Sequence, residues 1–225
     1  EGVAEHWKDP RGRFAPLPAR ARVLLVGKAP LAEVPSDLRD VAGRALRGRI
    51  ALVPFGRGDG PVTVAALSLT YGRDVAPAWL EQVAANAPQL VDTTEEVRGR
   101  VAAGTAAVGL AGSIEGAAGA ASATGMRVVY PDQAGAGAIV IPTAVVRLAG
   151  AGEGATRLAE WLAGPDAERV LVARVPGLLP LRPEVPVPVG VEPVGNLAAL
   201  PLDWDRLAAE KTELTPRLER WPGPR

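Results

Sequence analysis

The stretch FGRGDGP, residues 55–61, concentrates groups able to grip a ligand. It follows the apolar run IALVPF and leads into an apolar, helix-like segment. Arg57, Gly58, Asp59 and Gly60 therefore stand where a strand hands over to a helix. Free backbone N–H groups at such a junction cradle oxyanions, and Arg57 adds positive charge. The same residues read equally as a plain glycine-rich connection. No Lys-Ser/Thr pair follows, so this is not a nucleotide-binding P-loop. A second helix start, Gly112, Ser113, Ile114 and Glu115, follows the apolar run AAVGL at 106–110. Its amides could face the first set across a cleft, although a simple Ser113 N-cap is the plainer reading. Two amide-rich helix starts suit phosphonate, phosphate or carboxylate groups better than a bare metal ion.

Other chemistry has little material. The only histidine, His6, lies in an irregular opening stretch, and there is no cysteine. A Ser-His-Asp arrangement would depend on that histidine, and no carboxylate pair stands out for acid–base work. The reading is a non-enzyme with no catalytic residue, no metal-ligating set and no cofactor. Lys plus Arg equals Asp plus Glu at 25 each, which removes any bulk electrostatic case for nucleic acid. No apolar run is long enough to span a bilayer as a helix.

The elements that would carry these loops alternate. RVLLV at 22–26, residues 50–55, 106–110, 127–130 and 139–147 read as strands. A helix starts near Pro61 and closes at Gly72, with Pro at its beginning and Gly past its end. Ser36, Asp74, Thr93, Ser113 and Asp203 read as N-caps, and Thr93 with Glu96 has capping-box spacing. The Ser113 helix is expected to run to Gly125. Leu158, Trp161 and Leu162 share one helix face, a second helix starts at Pro165, and 176–202 is proline-rich and extended. Leu207 and Leu214 belong to one helix, and Thr215-Pro216 to a short last one. Trp79, Trp161 and Trp221 fall at core spacing. Alternating strands and helices argue for an α/β fold with mainly parallel strands.

One segment is ambiguous. In VVYPDQAGAGAIVIP, residues 128–142, two apolar runs flank a turn of Asp132, Gln133, Gly135 and Gly137. Either a tight hairpin or a crossing between two lobes fits.

Three stretches resemble class II extracellular solute-binding proteins of ABC transporters, in the ferric-iron and phosphonate branch. They are WKDPRGRFAPLPARARVLLV (7–26), GTAAVGL (104–110), and VVYPDQAGAGAIVIP with GAGEGATRLAEWLAGPDAERVLVARVPGLLPLRP further on. The tail NLAALPLDWDRLAAE fits one sub-branch. The resemblance implies two α/β lobes joined by crossing strands, with a small ligand held between them and delivered to a membrane permease. It implies a leader and crossing segment at 1–24, a second lobe at 25–134 and a return to the first lobe at 135–225. Asp132, Gln133, Gly135 and Gly137 become the hinge, and the location periplasmic or extracellular. Relatives of this kind carry further residues ahead of such a segment, which supply the opening strands of lobe one. The chain then reads as a fragment, one half of a split protein or a reduced relative, either monomeric or paired with a segment completing that lobe. The iron branch places adjacent tyrosines after its "GL" strand. Here Ala111-Gly112-Ser113-Ile114-Glu115 stands instead, which favours an anion or an anion-bearing metal complex. The alternative is a binding-protein fold that has lost its ligand and serves as a structural or protein-interaction module.

Overall fold

The computed structural model describes residues 2–121 and 125–222. Its frame is set by one long strand, β1 (Ala15–Val26), whose second half is buried on both sides. That half is flanked by β4 (Val108–Gly112) and β5 (Arg127–Val129), both antiparallel to it. Beyond β4 lie β2 (Ile50–Leu52) and β3 (Gln89–Leu90), giving the order β3-β2-β4-β1-β5. β2, β3 and β4 are mutually parallel, as their intervening helices require. The sheet is thus mixed: the expected parallel pairing holds for these three strands and ends at β1.

The first half of β1 has a different partner, β6 (Val140–Val145), also antiparallel. The amides of Ala19 and Ala21 turn toward Leu179 and Ser113, on the β4 flank, whereas Arg22 turns its amide toward Ile139. β5 and β6 therefore run in the same direction along the same flank of β1. Leu24 pairs with Val129 and Ala21 with Val140, so residues 130–139 loop out and rejoin the same line. This is a crossing and not a hairpin. Val145 ends opposite Ala15, after a bulge between Pro16 and Ala19.

Among the described residues seven α-helices complete the fold: α1 (Gly60–Tyr71), α2 (Val75–Ala85), α3 (Thr94–Ala102), α4 (Ser113–Ala120), α5 (Glu153–Leu162), α6 (Pro165–Arg174) and α7 (Trp204–Leu218). Strand alternation divides the core. Leu24, Ile50, Leu52 and Leu110 point to the face covered by α1, α2 and α7, with Val64, Leu80, Val83 and Leu214. Val23, Leu25, Ala51 and Ala111 point to the other face, against Val97 and Val101 of α3.

Several boundaries differ from the sequence reading. Asp37, not Ser36, caps a 3-10 helix over Leu38–Ala42, because its carboxylate accepts from Arg39 N–H while Asp40 reaches back to Asp37 N–H. α4 stops at Ala120, and 122–124 of its expected extension lie outside the described residues. α7 runs through Pro216, since a proline this near the helix end removes a single backbone bond and Leu218 is held in the core. Trp79 is 4% exposed, as a core anchor should be, but Trp161 is 53% exposed. No helix among the described residues is long and apolar enough to cross a membrane.

Candidate functional site

In an open α/β sheet, ligands collect outside the carboxyl ends of parallel strands. Here three connections leave those ends: residues 53–59 after β2, 91–93 after β3, and the direct junction of Gly112, the last residue of β4, with α4. β1 is antiparallel to β4 and sets Arg22 opposite Gly112, so Arg20 and Arg22 arrive at the same edge. The loops are linked there. Arg57 pairs with Asp92 at 2.9 Å, Thr94 Oγ1 donates to Glu115 Oε1 at 2.9 Å, and Arg20 donates to Asp59 Oδ1 at 3.1 Å. The two stretches singled out in the sequence, 57–60 and 112–115, thus belong to one edge.

Three of their amides are consumed within the chain. Arg57 N–H bonds Pro54 O, Gly60 N–H bonds Arg57 O, and Pro61 has no N–H. Gly60 is there because a side chain would collide with Phe55 O. Gly58 supplies the positive φ, +54°, that the turn needs. At the second helix start, Gly112 N–H bonds the Glu115 carboxylate at 3.1 Å, a natural place for an acid at a helix N-terminus. Ser113 is buried; its hydroxyl donates to Gly177 O at 2.6 Å and accepts from Ala21 N–H at 3.2 Å. It holds α4 to β1 and to the 177 loop, facing protein on both sides. Ile114 packs against the small cluster of Val172, Leu178 and Val185. The structure therefore fills part of either cradle, at the Arg57, Gly60 and Gly112 amides.

What it presents instead is Arg22, a residue the sequence reading took only as the first position of a buried strand. Its side chain is 8% exposed, donates no hydrogen bond among the described residues, and lies 3.9 Å from its nearest counter-ion there, Asp59 Oδ2. Its Nε is buried without a partner, as is that of Arg20. Burial pushes its pKa below the usual arginine value; Asp59 and Glu115 pull it back up, and Arg20 lowers it further. An arginine stays charged in a protein, so this records the cost of an uncompensated buried cation. The cluster balances three guanidiniums (Arg20, Arg22, Arg57) against three carboxylates (Asp59, Asp92, Glu115). The deepest of the six is the one without a bond. No sequence pattern marks it, because burial and lack of a partner are both tertiary properties.

The turn at 132–137 is firmly placed. Gln133 is 1% exposed; its Oε1 accepts from Leu38 N–H at 3.3 Å and its Nε2 donates to Pro131 O at 2.8 Å. Asp132 accepts from Ala134 N–H and Gly137 N–H. Gln133, Ala134, Gly135 and Gly137 all have positive φ, at 52°, 57°, 85° and 119°. Neither tyrosine joins the cluster. Tyr71 donates to Asp37 at 3.0 Å, and Tyr130 bonds the Glu192 backbone. Among the described residues no group of three or more His, Asp or Glu side chains is arranged to hold a metal ion. A groove of about 380 Å³, lined by Trp7, Arg13, Leu200 and Trp204, shares no residue with the Arg22 cluster.

A mixed sheet crossed by one long strand, with charges gathered at the crossing, places the chain in the class of open α/β proteins whose ligands sit at strand ends. The comparisons give the class its family. The model of the bacterial extracellular solute-binding proteins matches residues 1–208, and the chain belongs to that family. Its fold is that of FutA2 from Synechocystis PCC6803 in its apo form (TM-score 0.80, 22% identity, covering 96% of this chain and 74% of that one). It is also that of iron-bound HitA from Pseudomonas aeruginosa (0.82, 19%, 96% and 72%) and of a Bordetella ferric binding protein (0.80, 23%, 96% and 72%). No curated protein matches it by sequence. The chain is an extracytoplasmic solute-binding protein, capturing a small ligand for transport.

Proposed function

We propose that the captured ligand is a small oxyanion, such as phosphate or a phosphonate, or the anionic part of a metal complex, and that Arg22 is its anchor. The observation carrying this is the buried Arg22 guanidinium without a hydrogen bond, placed where the strand ends converge. A guanidinium offers five N–H donors in a planar fork, which matches a tetrahedral oxyanion and not a bare cation. Arg20 and Arg57 extend the positive side, and residues 57–60 and 112–115 wall it. Solved neighbours include an iron-bound protein and one holding iron and citrate, which keeps an iron–anion complex within the proposal. Tyr71 and Tyr130 stand away from the cluster, which favours oxyanion contact over phenolate capture of ferric ion.

In this reading the protein performs no catalysis and hands its ligand to an ABC permease. The change of ladder on β1 between Ala21 and Arg22 supports a division of the chain near 1–24, 25–134 and 135–225. The turn of Asp132, Gln133, Gly135 and Gly137 is the pivot. The chain acts alone or with a segment completing the first lobe. The second option gains support from β6, whose only strand partner among the described residues is β1, and from α5, which has no buried residue and exposes Leu158 and Trp161.

Isothermal titration with phosphate, methylphosphonate, and ferric citrate tests the ligand class. Saturable binding of an oxyanion that Arg22→Gln abolishes is expected. Binding of ferric ion alone, unaffected by that substitution, would replace this reading.

A further inference from the structure

Asp59 sits at the N-cap of α1, where an aspartate carboxylate normally turns onto the amides of its own helix. It makes no such bond here. The reason is local. Pro61 has no amide hydrogen, Gly60 N–H is bound to Arg57 O, and Thr63 bonds the Asp59 carbonyl through both its amide and its hydroxyl. The Asp59 carbonyl thus takes the first bond of the helix, while the carboxylate, making no bond to the Gly60 or Val62 amide, points outward. It points between two arginines, 3.1 Å from Arg20 and 3.9 Å from Arg22.

We propose that Asp59 is a resident anion, holding the place of the ligand's oxyanion between Arg20 and Arg22, and that capture requires it to swing aside. This rests on the oxyanion reading of the site and adds a competitor to it. The carboxylate fills the place poorly. Its 3.9 Å approach to Arg22 is not a hydrogen bond, and a buried Nε on each arginine is left without an acceptor. An oxyanion with three terminal oxygens supplies acceptors that one carboxylate does not. Asp59 is also the carboxylate able to leave. Its side chain is 27% exposed, between two glycines, Gly58 and Gly60. Glu115, the other carboxylate facing Arg22, is tied by Thr94 and by Gly112 N–H. Asp59 therefore sets a threshold. A monoanion with few oxygens merely replaces what the protein already has, whereas a multidentate oxyanion gains bonds.

The test is titration of wild type, Asp59→Asn, Asp59→Ala and Asp74→Asn with inorganic phosphate and with acetate, each variant first checked by its melting curve. Asp74 caps α2 without a side-chain bond, is exposed and controls for net charge. Both Asp59 variants are expected to bind phosphate about tenfold tighter, or to bind it where wild type does not, with Asp74→Asn unchanged. Acetate affinity should rise at least as much, narrowing the preference for phosphate. If wild type binds phosphate and both Asp59 variants bind it equally or more weakly, Asp59 is a ligand contact or a bystander, and the competitor role is wrong while the site stands. If no variant binds any oxyanion, the oxyanion reading falls and this inference with it.

Discussion

Replacing Arg22 by methionine should make the empty protein more stable and the ligand-binding protein useless. The guanidinium is 8% exposed and has no hydrogen bond among the described residues. Exchanging such a group for an apolar side chain of similar length removes a desolvation cost, worth about 1–2 kcal/mol. For a domain of this size that is a rise in Tm of roughly 2–8 °C. A guanidinium bonded to an oxyanion contributes about 1.5–3 kcal/mol per hydrogen bond, so loss of two such bonds weakens binding by at least about a hundredfold. Scanning calorimetry with and without phosphate reads both effects. At phosphate concentrations a hundred times Kd, wild type gains about 2.7 kcal/mol by mass action while the variant gains nothing, so the order of the two melting points should invert. Arg57→Met is the contrast. Arg57 is 61% exposed and its partner Asp92 84%, and such a rim pair contributes at most about 1 kcal/mol. A variant that melts well below wild type and still responds to phosphate would show that Arg22 holds the fold and not the ligand.

Gly177→Ala should cost about 2–4 kcal/mol in urea unfolding, because Gly177 has φ +91° and an added methyl would collide with Ser113 O and lie 2.5 Å from Ile114 Cα. Trp161→Glu should change the stability of this chain by less than about 0.5 kcal/mol, since the ring is already 53% exposed; a large loss would mean that the α5 face is covered in solution. Stability should fall in acid. Arg13, bonding Asp9 through side chain and backbone, holds that carboxyl well below the usual range, and for Asp37 the bonds from Arg39 and Tyr71 outweigh the raising effect of burial. Both folded pKa values lie below the unfolded ones, so their contribution is complete above about pH 4 and is lost as pH falls through the folded values. Urea midpoints from pH 6 to pH 2 should show this, and Asp37→Asn should flatten part of the slope.

The order of elements was legible because local signals are strong there. Thr93 accepts from Glu96 N–H and Asp203 from Arg206 N–H, as their positions before apolar helices predict. β1 was harder. Its first half, APLPARA, carries two prolines and polar residues and reads as irregular, yet it is strand from Ala15 because a bulge between Pro16 and Ala19 absorbs the prolines. β3 spans two residues, too few for any period. Trp161 shows the limit of periodicity, which reveals that a helix has an apolar stripe but not what lies against it. The sites divide in the same way. Residues 57–60 and 112–115 were found from type and spacing, and they do share an edge. Their amide bookkeeping and the isolation of Arg22 depend on partners tens of residues away.

The position of Arg22 follows from the topology. A strand that keeps one pair of neighbours throughout has its side chains packed from both sheet faces, and evolution can fill those places with apolar groups. β1 instead changes partners. At Arg22 it pairs with Gly112, the last residue of β4, and one residue earlier it pairs with Val140 of β6. At that step the β4 ladder ends, α4 begins, and the return crossing at Ile139 bonds Arg22 N–H. Neither half of the chain completes the surroundings of the side chain. A cation placed there is enclosed by protein and yet short of acceptors, which is the condition a captured anion relieves.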